Sequence, residues 1–240
     1  MDVTPTKILM IFDFDQTIID DDSTSFIIKL LENSDFHEND LYKKHINTKW
    51  VEYVQDLLNR INNQKINITK IQNIFNKIKV TNGFLNLFNH LKENENIFES
   101  IILSNSNNLF INWWATNRNI PIKQIIANKA EAVSNTLIKI WNDQKSTCKY
   151  CPDLCKKMCL EEYVKDKQYK KLIYVGDGEN DFCPAQVLDK GDYLFIRNKF
   201  PLHQMLSKTM SSNVTHKDLK ANIKVWECGN EILQELKNIN

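Results

Sequence analysis

Apolar residues in this chain follow two rhythms, and the change from one to the other divides the sequence. Continuous apolar runs of strand length stand at Ile8 to Phe12, Ile101 to Leu103 and Leu172 to Val175, with shorter ones near Ile122 to Ile126, Tyr193 to Ile196 and Val225 to Trp226. Runs without polar alternation predict strands buried on both faces, as in a parallel sheet covered by helices. Between the first two runs the period changes. Trp50, Tyr53, Val54, Leu57, Leu58 and Ile61 recur at three and four, as do Ile68, Ile71, Ile74, Phe75 and Ile78, so the block from 21 to about 80 reads as an all-helical insert. Asn82-Gly83 punctuates its end, and Phe84, Leu87, Phe88 and Leu91 open a further amphipathic helix leading to the strand at 101 to 103. From there strand and helix alternate to the C-terminus, which makes the expected class α/β with a parallel sheet.

Each of the three long apolar runs is followed by polar residues that carry chemistry. Phe-Asp-Phe-Asp-Gln-Thr spans 12 to 17, Leu-Ser-Asn-Ser spans 103 to 106, and Gly-Asp-Gly-Glu-Asn-Asp spans 176 to 181. Loops at the carboxyl ends of parallel strands converge on one crevice, so these segments are expected to share a pocket. Asp13 and Asp15 lie two apart, and on a strand end that spacing directs both carboxylates to one side while Phe12 and Phe14 face the core. Two carboxylates so close repel unless a cation lies between them or one keeps its proton. Metal-assisted phosphate chemistry satisfies both conditions, and it also accounts for Thr17, Ser104 and Asp177.

Taken together, the motifs resemble those of the haloacid dehalogenase superfamily of phosphatases, and most of all its phosphoethanolamine/phosphocholine and pyridoxal-phosphate phosphatase group. The closer likeness rests on Phe-Asp-Phe-Asp-Gln-Thr-Ile-Ile-Asp at 12 to 20, Cys-Lys-Tyr-Cys-Pro at 148 to 152, Leu-Cys-Lys-Lys at 154 to 157 and Tyr-Val-Gly-Asp-Gly-Glu-Asn-Asp-Phe-Cys-Pro at 174 to 184. The resemblance implies a Rossmann-like catalytic core formed by 1–20 and 81–240, with a helical cap at 21–80 that closes over the site. It implies that Asp13 is the nucleophile forming an aspartyl-phosphate and Asp15 the general acid and base. Mg²⁺ would be held by the Asp13 carboxylate, the Asp15 carbonyl and Asp177, with Thr17, Asn180 and Asp181 in support. Ser104, Asn105 and Lys156 would bind the substrate phosphate. Pro152 is placed to open the helix that carries Lys156, one turn in, with Lys157 turned away. The activity implied is hydrolysis of small phosphomonoesters, of pyridoxal-phosphate, phosphoethanolamine/phosphocholine or pyrophosphate type. A phosphotransferase using the same intermediate, or a zinc-bearing interaction protein with a vestigial site, is the alternative.

Two details bear on substrate and on metal. The amine-phosphate enzymes of the group place carboxylates after the second-motif serine and just past the first motif, where this chain has Asn105 and Thr24; no preference for a cationic head group is expected unless Asp20, Asp21 or Asp22 substitutes. Cys148, Cys151, Cys155 and Cys159 have a spacing that admits zinc. A helix starting at Pro152 would instead put Cys155 and Cys159 on one face as reduced structural thiols, with Cys183 and Cys228 in the core. Composition adds only exclusions. A net charge of +1 with 25% charged residues in 240 gives no electrostatic case for nucleic acid or an acidic membrane. The opening Met-Asp-Val lacks a basic, apolar leader, so a soluble cytoplasmic protein is expected.

Overall fold

The computed structural model describes residues 7–31, 41, 43, 45, 49–151, 153–211 and 219–239. Its frame is a seven-stranded sheet in the order β4-β3-β2-β1-β5-β6-β7. The strands are β1 (Ile8–Phe12), β2 (Phe98–Asn107), β3 (Gln124–Ala132), β4 (Ile138–Trp141), β5 (Lys171–Gly176), β6 (Tyr193–Arg197) and β7 (Asn222–Trp226). All neighbours are parallel except β3 and β4, which form an antiparallel hairpin. That hairpin departs from the expected alternation of strand and helix. Its two-faced burial is weak, because β3 runs past β2 and exposes Lys129 and Glu131, so the apolar run that marks the other strands stops at Ile126.

Burial on both faces explains the continuous runs. Ile8, Met10 and Phe12 join one apolar core while Leu9 and Ile11 join the other, on the opposite side of the sheet. The first core is closed by α4 (Phe84–Glu93), with Phe84 and Phe88 edge-on to Phe12 at 6.0 and 5.6 Å, and by α9 (Gly229–Ile239). The second core lies under α6 (Lys156–Val164) and α8 (Pro201–Ser211).

The residues from 21 to 80 contain α1 (Ser23–Leu31), α2 (Trp50–Asn63) and α3 (Ile68–Phe75), as the three-to-four periodicity predicts. The chain departs at Ile19 and returns at Val80 through an antiparallel bridge, reinforced by Thr81 N–H donating to the Ile18 carbonyl at 2.9 Å. These helices are not detached from the sheet's own core. Phe75 stacks on Phe110 of α5 (Asn108–Ala115) at 4.4 Å, and Trp114 on the same helix donates its indole N–H to the Ile78 carbonyl. Among the described residues no helix is long and apolar enough to cross a membrane.

Gly83 and Gly229 show how tightly α4 and α9 meet. Gly83 has φ +80°, and a Cβ on Gly229 would stand 2.6 Å from both the Gly83 carbonyl carbon and the Phe84 nitrogen, backbone atoms that cannot swing aside. Gly229→Ala is expected to cost about 2 kcal/mol through overpacking, whereas Gly191→Ala, with nothing within 4 Å of the added methyl, should stay within about 0.5 kcal/mol. Urea midpoints at constant m-value check the contrast, and equal midpoints for the two variants would refute it.

Candidate active site

Strand register assembles the site. Phe12 pairs with Ile102 of β2 on one side and with Val175 of β5 on the other, so Asp13 emerges beside Ser104 and Asp177. β1 is where the sheet's connections reverse direction, the switch point at which open α/β sheets bind ligands. The Asp13 amide still donates to the Val175 carbonyl at 2.9 Å, but the strand ends there. Phe14 to Ile18 form a wide turn closed by Ile19 N–H on the Phe14 carbonyl at 3.1 Å, with Gln16 at φ 55°. Asp13 and Asp15 therefore reach one cavity by a turn, not by the pleat alternation expected from their spacing. Phe14 faces the core as expected, edge-on to Trp114 at 5.2 Å.

Lys156 sits at the centre with no solvent exposure. Its ammonium lies 2.9 Å from Asp13 Oδ2 and 2.7 Å from Asp181 Oδ1. Asp181 accepts three more bonds: the Tyr174 hydroxyl at 2.6 Å and the amides of Asp177 and Gly178, each at 2.9 Å. Gly176 permits this close packing, because a Cβ there would fall 2.4 Å from Asp181 Oδ2. Thr17 donates to Asp177 Oδ1 at 3.1 Å, joining the first motif to the third. Lys157 is turned to solvent beside Glu161.

The helix carrying Lys156 starts later than expected. Cys155 is its N-cap and Lys156 its first residue, not a residue one turn inside. The cause is competition for backbone groups: the Leu154 carbonyl accepts the Asn105 amide at 2.9 Å, and the Cys155 N–H is taken by Gln144 Oε1. Pro152 lies outside the described residues. The cysteines are rearranged accordingly. Cys183, expected in the core without a partner, has its sulfur 3.4 Å from Cys148 and 3.6 Å from Cys155, while Cys159 bonds Gln144 instead.

Several residues at the cavity escaped the sequence reading. Ser23 donates its amide and hydroxyl to the two oxygens of Asp15, at 2.7 and 3.0 Å, and its hydroxyl also meets that of Ser106 at 2.9 Å. Ser106 N–H in turn donates to Ser104 Oγ at 3.1 Å. The i, i+2 spacing of Ser104 and Ser106 on one strand was the available signal. Asn105 spends its amide on the Leu154 carbonyl and accepts from Asn180 Nδ2 at 2.9 Å, so it ties three loops together. The cavity, about 320 Å³, is lined by Asp13, Asp15, Ser104 and Asp177 together with Asp22, Trp50, Tyr150 and Asp153. Of the three aspartates at 20 to 22, only Asp22 lines it: Asp20 pairs with Arg197 and Asp21 caps the Asp22 amide. Thr24 is buried and its amide bonds Asp22. Asp153 accepts Val51 N–H at 3.1 Å through Oδ2, and its Oδ1 is buried without a hydrogen-bond partner among the described residues.

Acidic groups outnumber the cation among them, and their proton affinities reflect it. Burial and the neighbouring Asp181 charge raise Asp13 to about 6 against the pull of Lys156. Burial, Asp13 and Asp181 raise Asp177 to about 8. Asp15 is raised well above the usual carboxylate range by burial and by Asp22 and Asp13. Burial alone would lower Lys156, but Asp13 and Asp181 more than reverse it, so the ammonium is held. Oxygens of Asp13, Asp177 and Asp181 lie within 4.8 Å of one another, a donor set suited to a hard cation.

Similarity to known proteins agrees with this geometry. The family model described as Putative Phosphatase matches residues 8–239. Human pyridoxal phosphate phosphatase PHOSPHO2 is 32% identical over 242 residues, covering 96% of this chain and 98% of that protein. The chicken phosphoethanolamine/phosphocholine phosphatase is 26% identical over 243 residues, covering 98% and 90% respectively. A solved structure described as a phospho-aspartyl intermediate analogue of phosphoserine phosphatase superposes with a TM-score of 0.65 over 96% of this chain and 99% of that one, at 15% identity, a likeness of fold. The chain belongs to the Putative Phosphatase family, phosphatases built on the haloacid dehalogenase fold.

Proposed function

We propose that this phosphatase hydrolyses small phosphomonoesters through an aspartyl-phosphate on Asp13, and that its substrate carries a flat ring with a basic nitrogen, as pyridoxal phosphate does. The observation that carries the first half is the buried ammonium of Lys156 fixed between Asp181 and Asp13, the latter lining the cavity. It holds the Asp13 carboxylate rigid for attack on phosphorus and presents positive charge to the phosphoryl oxygens. Ser104, at the end of β2, offers its hydroxyl to the same oxygens.

Asp15 is suited to donate a proton to the departing oxygen. Burial and the charges of Asp22 and Asp13 raise its proton affinity well above the usual carboxylate range, and Ser23 fixes both of its oxygens. Once the alcohol has left, the same carboxylate takes a proton from the attacking water. Asp13, Asp177 and the Asp15 carbonyl are the groups that would hold Mg²⁺; when bound, the ion neutralises charge on the phosphate. Asp181 already accepts four hydrogen bonds, so it orients Lys156 and the Asp177 loop and contributes little as a ligand. Asn105 and Asn180 position loops in the same way.

The lining of the cavity supports the second half. Trp50 and Tyr150 supply aromatic surface, and Asp153 Oδ1 is a buried oxygen with no hydrogen-bond partner among the described residues. A pyridinium N–H satisfies that oxygen while its ring lies against the aromatic side chains. The insert between β1 and α4 contributes Asp22 and Trp50 here, which fits a cap that selects the leaving group.

Asp13→Asn should reduce turnover of any phosphomonoester by on the order of 10⁴ or more with the fold intact, since the amide forms no covalent intermediate. Asp15→Asn should slow phosphoenzyme formation from alkyl phosphates by about 10² to 10⁴ while largely sparing nitrophenyl phosphate. Single-turnover rates with acid-trapped phosphoenzyme check both; rapid turnover after Asp13→Asn, or equal losses across leaving groups after Asp15→Asn, would overturn the roles.

A carboxyl raised from 3.8 to about 8 on folding keeps a proton that the unfolded chain has released in that range, so stability falls as pH rises through it. Metal-free protein should therefore lose melting temperature from about pH 4 to 8, and the increment from saturating Mg²⁺ should grow with pH and disappear in Asp177→Ala. A pH-independent increment would contradict the assignment of Asp177.

Asp153→Asn keeps an acceptor for Val51 but removes the charge. It should lower kcat/KM for pyridoxal phosphate about tenfold or more and change that for benzyl phosphate, which lacks the ring nitrogen, by no more than about twofold. A wild-type preference for phosphoethanolamine over pyridoxal phosphate would sink the substrate proposal.

A further inference from the structure

Four of the six cysteines form a satellite of their own, apart from both apolar cores. Cys151, Cys155 and Cys183 are buried against one another, with Cys148 and Tyr150 beside them. All are free thiols. Cysteines acting as small hydrophobes would be expected among the leucines and isoleucines under the sheet. These pack on sulfur instead. The Cys148, Cys151 and Cys183 sulfurs lie within 4.8 Å of one another, with Cys148 and Cys183 3.4 Å apart; Cys155 is 3.6 Å from Cys183 but outside that mutual set, so it closes on the other two only when an ion draws it in. Four thiolates bound tetrahedrally at about 2.3 Å from zinc stand about 3.8 Å apart.

The surroundings suit thiolates. Cys155 is the N-cap of α6 and Lys156 its first residue, so the group sits at the start of that helix, where the dipole favours negative charge. Lys145, Lys149 and Lys157 line the cleft in which Cys148, Cys155 and Cys183 lie, which gives positive charge around the group and a way in from solvent. Read from the spacing of Cys148, Cys151, Cys155 and Cys159, all four ligands would come from one short stretch, whereas structural zinc usually takes ligand couples from separate turns. Cys183 removes that objection: it comes from α7 (Phe182–Ala185), a separate segment.

We infer that Cys148, Cys151, Cys155 and Cys183 form a structural zinc site, with Cys159 and Cys228 outside it. Each thiol loses its proton to solvent as the Zn–S bond forms, and no redox change is involved. The site is closed, with four protein ligands, so it has no open position for chemistry. Its effect is mechanical. It cross-links the segment that ends at Lys156 to the segment two residues past Asp181, and so clamps the two partners of the buried ion pair from behind.

The test is made on the full chain purified without chelator. Metal analysis should find about one zinc per chain, and Co²⁺ exchanged into the protein should give the visible bands and thiolate charge-transfer absorption of a tetrahedral sulfur site. Cys148→Ser and Cys183→Ser should each lose the zinc, whereas Cys159→Ser and Cys228→Ser should keep it. Stripping zinc should expose four additional thiols to a soluble disulfide reagent and lower the melting temperature with Mg²⁺ present throughout. Folded, active wild-type protein with no zinc and no cobalt–thiolate absorption would overturn the site. So would zinc that survives Cys183→Ser but is lost in Asp177→Ala, which would put the ion among the carboxylates, or loss of zinc in Cys159→Ser as complete as in Cys183→Ser.

Discussion

The interaction on which the rest of the site depends is the contact of one ammonium with two carboxylates, Lys156 with Asp13 and Asp181, all withdrawn from water. Removing a lysine from water costs several kcal/mol, and a salt bridge in such a place seldom gains net stability over an apolar filling. It is retained because it does something an apolar filling cannot: it fixes a carboxylate at the end of a strand and leaves charge facing a cavity. The cost of breaking it is asymmetric, since deleting one partner strands the other, typically at about 3–5 kcal/mol. The surrounding hydrogen bonds follow from that risk. Asp181 has every oxygen occupied, by Lys156, Tyr174 and two backbone amides, so the acid that balances the ammonium cannot swing away.

The acidic excess around this pair gives the site its chemical bias. Asp13, Asp15 and Asp177 are each raised above their ordinary range, mainly by burial, which marks a place where a cation would relieve the crowding of negative charge. The same environment separates roles between neighbours. Asp13 touches the ammonium and is raised less than Asp177, while Asp15 accepts from the Ser23 amide and hydroxyl and is raised well above its range by burial, Asp22 and Asp13. Two aspartates two residues apart thus differ in their surroundings, which suits them to the separate roles proposed for them.

Contacts between the inserted helices and the core converge on the same place. Ser23 orients Asp15, Val51 N–H holds Asp153, and Gln55 binds the Ile138 carbonyl and Ile140 N–H of the β3–β4 hairpin. The segment from Cys148 to Lys156 is therefore held on three sides: by the insert at Asp153, by Asn105 at Leu154, and by sulfur contacts with Cys183. A segment with so little regular structure needs such fastening if it is to deliver Lys156 with precision, and small shifts in a catalytic group cost large factors in rate.

How much of this was legible beforehand follows from which forces act locally. The strands other than β4, the helices from 50 to 75 and the three polar loops could be read from residues near one another in sequence, because burial on one or two faces imprints a period and strand ends collect polar residues. The family motifs marked Asp13, Asp15, Ser104, Lys156 and Asp177, and four of the five line one cavity, with Lys156 against Asp13. What sequence could not decide was every contact made between distant segments. Ser23 against Asp15, Asp153 against Val51 and Cys183 among the cysteines of residues 148 to 155 leave no periodic trace, since each depends on two loops being brought together by the sheet. The start of the Lys156 helix belongs with them: proline at 152 invites an early turn by local preference, but backbone groups at Leu154 and Cys155 are claimed by Asn105 and Gln144, and tertiary hydrogen bonds outweigh a propensity of a fraction of a kcal/mol per residue.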